Sequence, residues 1–177
     1  MSDGTTGPPP TGVLAVGAFT AGAFPLVARD DASAAFFDAA ARGELLVRRC
    51  LDSGDVLGPE ARTCPGCGSA RLEPFVVSGR GVLVTWAVVH QVPVSVLRGA
   101  VPYVTAVVEL AEGPWLLVRL VGTDGSDLRA GQPVSARFVQ PHQPDEGSGA
   151  DSGEAPGEVL PVFAPGEPAA VSGQGES

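Results

Sequence analysis

Residues 49–68, RCLDSGDVLGPEARTCPGCG, hold all three cysteines of the 177-residue chain and constrain its fold more than any other stretch. Cys64-Pro65-Gly66-Cys67-Gly68 reads as a metal knuckle. Its small residues permit a tight turn on which two thiolates converge on one ion, and backbone N–H groups are left to bond the sulfurs. Upstream, Cys50-Leu51-Asp52-Ser53-Gly54 repeats the outline with Ser53 where a second cysteine would stand, so the spacing is C-x2-S-x10-C-x2-C. A structural zinc ion takes four ligands, and a neutral hydroxyl is a poor one. Asp52 or Asp55 can add an oxygen to Cys50, Cys64 and Cys67. The other reading is a degenerate ribbon without metal, held by the packing of Leu51, Val56 and Leu57. Three cysteines leave one unpaired in any disulfide scheme, and a chain of this length can build its own core, so a disulfide framework is not expected.

With 44% hydrophobic and 18% charged residues the chain has material for one globular domain. Its net charge of −9 is unevenly placed: residues 141–177 carry seven acids and no arginine, leaving −2 on the other 140. Neither part offers the basic footprint that a nucleic-acid backbone requires. Residues 13–28 form the most apolar run, but Gly17, Gly22 and Pro25 interrupt it, and a membrane span needs about 20 apolar residues. Residues 1–10 contain Asp3 and no positive charge, unlike a signal peptide. A cytoplasmic protein without membrane contact is expected.

Residues 1–23, rich in Gly, Pro, Thr and Ala, read as a flexible tail. In segment 24–49, Asp30-Asp31-Ala32-Ser33 offers N-cap chemistry to a helix over 34–42, Gly43 closes it, and a lead-in strand follows at 44–49. Phe36, Ala39 and Ala40 fall at i, i+3 and i+4, one apolar stripe. The ribbon hairpin takes 50–72. Strands dominate 73–165. Ser78-Gly79-Arg80-Gly81 turns into a long segment, 82–90, whose glycine-flanked start suits a bent first barrel strand. Positions 104, 106, 108 and 110, then 116, 118 and 120, are all apolar, a period-2 face aimed at a core. Val134, Ala136 and Phe138 alternate in the same way. An acidic Gly/Ser/Pro insertion spans 141–157, and residues 159–163 form a last short strand whose prolines place it at a sheet edge. Residues 166–177 read as a second flexible tail. The expected fold is mainly β: a short N-terminal helix, a rubredoxin-like zinc ribbon, complete or degenerate, and a five-stranded OB-fold barrel.

The order of these parts carries a resemblance. A helix with aromatics, Arg42-Gly43-Glu44-Leu45, the cysteine ribbon, Ser78-Gly79-Arg80-Gly81 and a long strand ending Val88-Val89-His90 together resemble the DUF35 family, zinc-ribbon plus OB-fold proteins associated with acyl-CoA metabolism. The match covers most of residues 25–165; its departures are Ser53 and the acidic insertion. The resemblance implies a non-catalytic accessory subunit. Such proteins dock on thiolase-superfamily enzymes (thiolases, condensing synthases, acyltransferases, lipid-transfer-type aldolases of lipid or polyketide metabolism) and help form the channel for the CoA arm. Some are fused to, or assembled with, hydratase-type domains. Zn2+ and a CoA thioester shared with the partner are the implied ligands.

Particular residues can carry these roles. Arg80, His90 and Arg98 are candidates to face CoA, the arginines by pairing with its phosphates. Phe36, Trp86, Tyr103 and Trp115 are candidates for a partner interface, where aromatics are enriched. The other reading is core packing, which the helix stripe of Phe36 favours, whereas Trp115 starts its strand on the face opposite Leu116, Val118 and Leu120 and is expected to be partly exposed. His90 has no orienting triad in its neighbourhood, no G-x-S-x-G or Walker A run is present, and no catalytic constellation emerges. Two other functions remain open at this level: an OB-fold nucleic-acid-binding module, which the acidic balance disfavours, and a free-standing acyl-CoA thioesterase, which lacks a catalytic set.

Overall fold

The computed structural model of the chain describes residues 13–15, 27, 29–93, 100–141 and 157–166. Arg98, nearly all of both expected tails and most of the expected acidic insertion lie outside the described residues. Among the described residues no helix is long and apolar enough to cross a membrane.

Helix α1, Ala34–Ala41, follows a turn set by Asp30. The Asp30 carboxylate accepts the Ser33 N–H at 2.8 Å and the Ser33 hydroxyl, so Asp30, and not the side chain of the N-cap residue Ser33, satisfies the helix entry. At the other end Gly43 (φ +77°) forms a Schellman turn, its N–H bonding Ala40 O while the Glu44 N–H bonds Ala39 O. The buried residues are Phe37, Ala39 and Ala40. Phe36 packs half-buried against the core and meets Phe37 edge-on at 5.5 Å. The apolar stripe is therefore one residue wider than the i, i+3, i+4 pattern marks.

Strands β2 (Leu45–Cys50), β3 (Val56–Leu57) and β4 (Leu72–Val77) form a sheet in the order β3-β2-β4. Pro74 lies on edge strand β4, where its missing N–H is tolerated. Leu45, Val47 and Val77 are buried in the same cluster as the barrel residues, so sheet and barrel share one core. Farther along the same face, towards the cysteine turns, Arg49 pairs with Glu73 across the strands, and its guanidinium lies 4.5 Å from the Phe75 ring centre.

The barrel comprises β5 (Arg80–Val89), β6 (Tyr103–Leu110), β7 (Trp115–Leu120), β8 (Pro133–Gln140) and β9 (Leu160–Pro165). Their order, β8-β5-β6-β7-β9, closes through a β8–β9 pairing into the five-stranded Greek-key barrel of an OB fold. Strand β5 bonds β8 through Arg80–Val82 and β6 from Gly81 to Val89, with the register shifting between Leu83 and Thr85. Val84 is the extra residue, and the bulge bends the strand as its glycine-flanked start suggests. Val104, Ala106, Val108, Leu110, Leu116 and Leu120 are buried and Val118 packs half-buried against them, as the period-2 pattern requires. Val13–Ala15, within the stretch read as a tail, adds strand β1 in parallel to β8.

Strand β9 overturns one expectation. Its prolines do not put it at an edge; it lies between β8 and β7. Phe163 O accepts the Val121 N–H on the β7 side, and backbone groups alternate sides along a strand, so Pro161 and Pro165 also face β7. Only Leu120↔Phe163 registers there. The missing N–H groups thus fall where no ladder asks for them.

Two contacts tie the start and finish of this fold together. Arg29 bonds Asp38 at 2.8 Å and Glu158 at 2.6 Å, joining the lead-in to α1 and to the approach of β9. The Gln140 side chain donates to Gly157 O at 3.4 Å, so the chain leaves β8 and re-enters beside the same point.

Gly81 marks the tightest approach in the barrel. A Cβ there would stand 2.8 Å from Val108 Cγ1 and closer still to the Glu109 carbonyl oxygen. Gly81→Ala is therefore expected to lower unfolding stability by about 1–3 kcal/mol, the usual cost of overpacking a close-fitted core. Chemical denaturation of the two proteins measures it.

Candidate functional site

The cysteines sit on two turns with one backbone plan. In the first, the Cys50 N–H bonds Asp55 O at 2.8 Å and the Gly54 N–H bonds Cys50 O at 2.9 Å; in the second, the Cys64 N–H bonds Ser69 O and the Gly68 N–H bonds Cys64 O, both at 2.8 Å. Gly54 (φ +80°) and Gly68 (φ +75°) supply the left-handed residue each turn needs. Ser53 consequently occupies in the first turn the place of Cys67 in the second.

The three sulfurs lie within 4.8 Å of one another, with Cys50 Sγ and Cys67 Sγ at 3.6 Å. Metal–sulfur bonds of about 2.3 Å place two tetrahedral ligand sulfurs roughly 3.8 Å apart, so the three can hold one metal ion. The Ser53 hydroxyl lies 3.4 Å from Cys64 Sγ and donates to Asp55 Oδ2 at 2.9 Å; the Cys64 thiol donates to the same carboxylate oxygen at 3.3 Å. Asp52 points elsewhere, held by Arg71 at 2.8 Å and Ser69 at 2.5 Å. Of the two carboxylates weighed from the sequence, Asp55 is the one at the sulfurs. The Ser53 hydroxyl, together with the Ser53 and Asp52 backbone N–H groups, pulls the Cys50 thiol from 9.0 down to about 7. A thiol that ionises near neutrality is disposed to bind metal. The packing invoked for a metal-free ribbon is thin: Leu51 is 51% exposed, and Val56 and Leu57 are only half-buried.

A second feature lies on the barrel wall. Since the even positions of β6 and β7 face inward, Tyr103, Val107, Trp115, Leu117 and Arg119 face out, with Leu117 opposite Val107. Trp115 is 61% and Leu117 78% exposed. The Arg119 guanidinium lies 4.9 Å from the centre of the Tyr103 ring, and burial draws its pKa below the ordinary arginine value. A groove of about 600 Å3 runs between this wall, α1 and β9, lined by Phe36, Phe37, Tyr103, Leu117, Arg119 and Phe163 among others. A smaller one of about 310 Å3 also touches Tyr103 and Arg119 and extends to His90 and Asp124.

The structure therefore brings some expected residues together and parts others. Phe36 and Tyr103 meet in the larger groove, and His90 joins Tyr103 at the smaller. Trp115 stands exposed on the same strand as Leu117. Trp86 packs against the core and donates its indole N–H to Gly125 O at 3.1 Å, which makes it a structural residue first. Arg80 begins the ten-residue strand β5 and His90 follows its last residue, so roughly 30 Å of strand separates them at ~3.3 Å per residue. They do not form one cluster. Arg119 was missed by sequence reading. Its signal is the hairpin register, which sets it on the outward face with Trp115 and Leu117.

Residues 76–139 match the family described as ChsH2, C-terminal OB-fold domain. Among curated proteins, the chain is 32% identical over 144 residues to the "Probable enoyl-CoA hydratase alpha subunit" of Thermomonospora curvata, covering 81% of this chain and 40% of that protein. It therefore spans about two fifths of that relative's length. It is 32% identical over 98 residues to the "DUF35 domain-containing scaffold protein" of Methanothermobacter thermautotrophicus, covering 55% of this chain and 73% of that one. Among solved structures it is similar to the "Ltp2-ChsH2(DUF35) aldolase", with 30% identity, a TM-score of 0.58, and coverage of 80% of this chain and 98% of the other. A closed OB barrel preceded by a cysteine-bearing ribbon, matched across nearly three quarters of a scaffold protein's length, gives the conclusion that this chain belongs to the DUF35 family.

Proposed function

We propose that the chain is a non-catalytic subunit of an acyl-CoA-processing complex, docking on a thiolase-superfamily enzyme through the outward face of β6 and β7. The observation that carries this reading is the pair Trp115 and Leu117, two large apolar side chains side by side on one outward strand face and mostly in solvent. An exposed aromatic with a neighbouring aliphatic is the composition of an interface anchor. In an OB fold the wall formed by the second and third strands, here β6 and β7, is the usual binding face. The names of the relatives support the same reading: a hydratase alpha subunit, a scaffold protein and an Ltp2-ChsH2 aldolase.

In this reading Phe36 and Tyr103 line the groove beside the docked enzyme, His90 lies towards the CoA arm, and Arg98, outside the described residues, is a candidate to pair with its phosphates. Arg80, at the far end of β5, serves there only if the arm extends along the barrel. Zinc, held by Cys50, Cys64 and Cys67, fixes the ribbon. The subunit contributes to catalysis by positioning the substrate arm while the partner supplies the reacting groups.

Co-expression with a thiolase-superfamily enzyme of the same organism, followed by affinity purification, tests the proposal. The two chains are expected to co-purify, and Trp115→Ala or Leu117→Asp is expected to weaken the complex by tenfold or more, since each removes at least about 1.4 kcal/mol of anchor energy. Failure to co-purify, with full partner activity when this chain is absent, would overturn it.

The two tryptophans should separate cleanly in the same assays. Trp86→Phe leaves Gly125 O without its donor and is expected to cost about 1–3 kcal/mol of stability while the complex persists. Trp115→Ala is expected to stay within about 0.5 kcal/mol in stability, as for other surface changes, while the complex weakens. Denaturation curves and binding titrations of the purified variants read both.

A further inference from the structure

The first cysteine turn lacks its second cysteine yet keeps every backbone feature of the second turn: the same pair of hydrogen bonds and the same left-handed glycine. Ser53 Oγ is thereby aimed where a fourth sulfur would be. It lies 3.4 Å from Cys64 Sγ, itself within 4.8 Å of the Cys50 and Cys67 sulfurs. With metal–sulfur bonds of about 2.3 Å and metal–oxygen bonds of about 2.0 Å, a tetrahedral S···O edge is roughly 3.5 Å. The hydroxyl oxygen meets that length.

A serine hydroxyl alone is a weak ligand, and the structure supplies what it lacks. Asp55 Oδ2 accepts the Ser53 hydroxyl hydrogen at 2.9 Å. Room for that carboxylate comes from the opposite turn, because a Cβ at Gly66 would stand 2.7 Å from Asp55 Oδ2. The glycine of Cys64-Pro65-Gly66-Cys67 is thus the space Asp55 fills.

We propose that Ser53 Oγ is the fourth ligand of a three-thiolate, one-oxygen metal centre, and that Asp55 positions it by taking its hydrogen so that an oxygen lone pair faces the ion. The arrangement parallels the carboxylates that orient ligating histidines from behind. It rests on the reading of Cys50, Cys64 and Cys67 as the other three ligands.

The test is a Co2+ titration of the full-length, reduced, metal-stripped chain, with Zn2+ competition for affinity and circular dichroism as a check on folding. The wild type is expected to bind one ion with tetrahedral d–d bands and thiolate charge transfer from three sulfurs. Ser53→Ala and Asp55→Ala should each lower affinity about 10- to 100-fold, the usual loss when a supporting partner is removed. Ser53→Thr, which keeps the hydroxyl, should retain affinity and guards against a mere folding defect. Ser53→Cys should bind more tightly, add charge-transfer intensity and shift the d–d bands to longer wavelength. Wild-type affinity in Ser53→Ala would overturn the proposal, whether water or Asp55 then fills the vertex. Binding by Ser53→Cys but not by the wild type would overturn the serine ligand and leave the three cysteines standing. Binding by neither would remove the cysteine reading itself.

Discussion

A barrel of only five strands closes when its strands hydrogen-bond along both edges, and in β5 the residues Gly81 and Val82 pair with both neighbours. Its first residues serve β8 and β6 at once, which requires the sheet to curl sharply within a few residues. Two local features permit the curl. The bulge at Val84 adds a residue to one side of the ladder, and Gly81 lets β5 run against the β6 backbone. Leu83, between them, is fully buried at the centre of the core. The outward wall of β6 and β7, and with it the exposure of Trp115 and Leu117, takes its register from this bend.

The ribbon depends on the barrel at one end and on its own chemistry at the other. Near the barrel, Leu45, Val47 and Val77 share the central core, so β2 and β4 need nothing more to hold them. At the far end the chain makes two tight turns, and there Leu51 is exposed and β3 is two residues long. Apolar burial of that kind contributes little. The sulfurs converge where packing is weakest, and an ion held by them would add its stabilisation there, since ligands gathered by folding make binding energy into folding energy.

What the sequence disclosed follows the same division between local and distant causes. The alternation of β6 and β7, the closing role of Gly43 and the outward setting of Trp115 each depend on residues a few places apart, and each was legible. The family could be read from the order of the motifs. The position of β9 could not: prolines report missing donors, and whether a donor is needed depends on which neighbour the strand's odd positions face. Strand β1 was hidden for a related reason, because three residues without a period declare themselves only when β8 is beside them. At the cysteine cluster the three thiols were plain, but the choice between Asp52 and Asp55 was settled by Arg71 and Ser69, which capture Asp52. Arg119 escaped notice because a lone arginine in a strand has meaning only once the register has stacked it on Tyr103.

The contact between Gln140 and Gly157 has an evolutionary side. Where a connecting segment starts and ends at the same point, its length hardly enters the energetics: doubling a loop costs only about 0.6 kcal/mol in closure entropy. The acidic stretch between those residues is therefore a place where the gene can gain or lose codons at little cost in closure entropy. The same tolerance makes it the natural port for a fluorescent label or an affinity tag, whose chain would leave and re-enter the fold between Gln140 and Gly157.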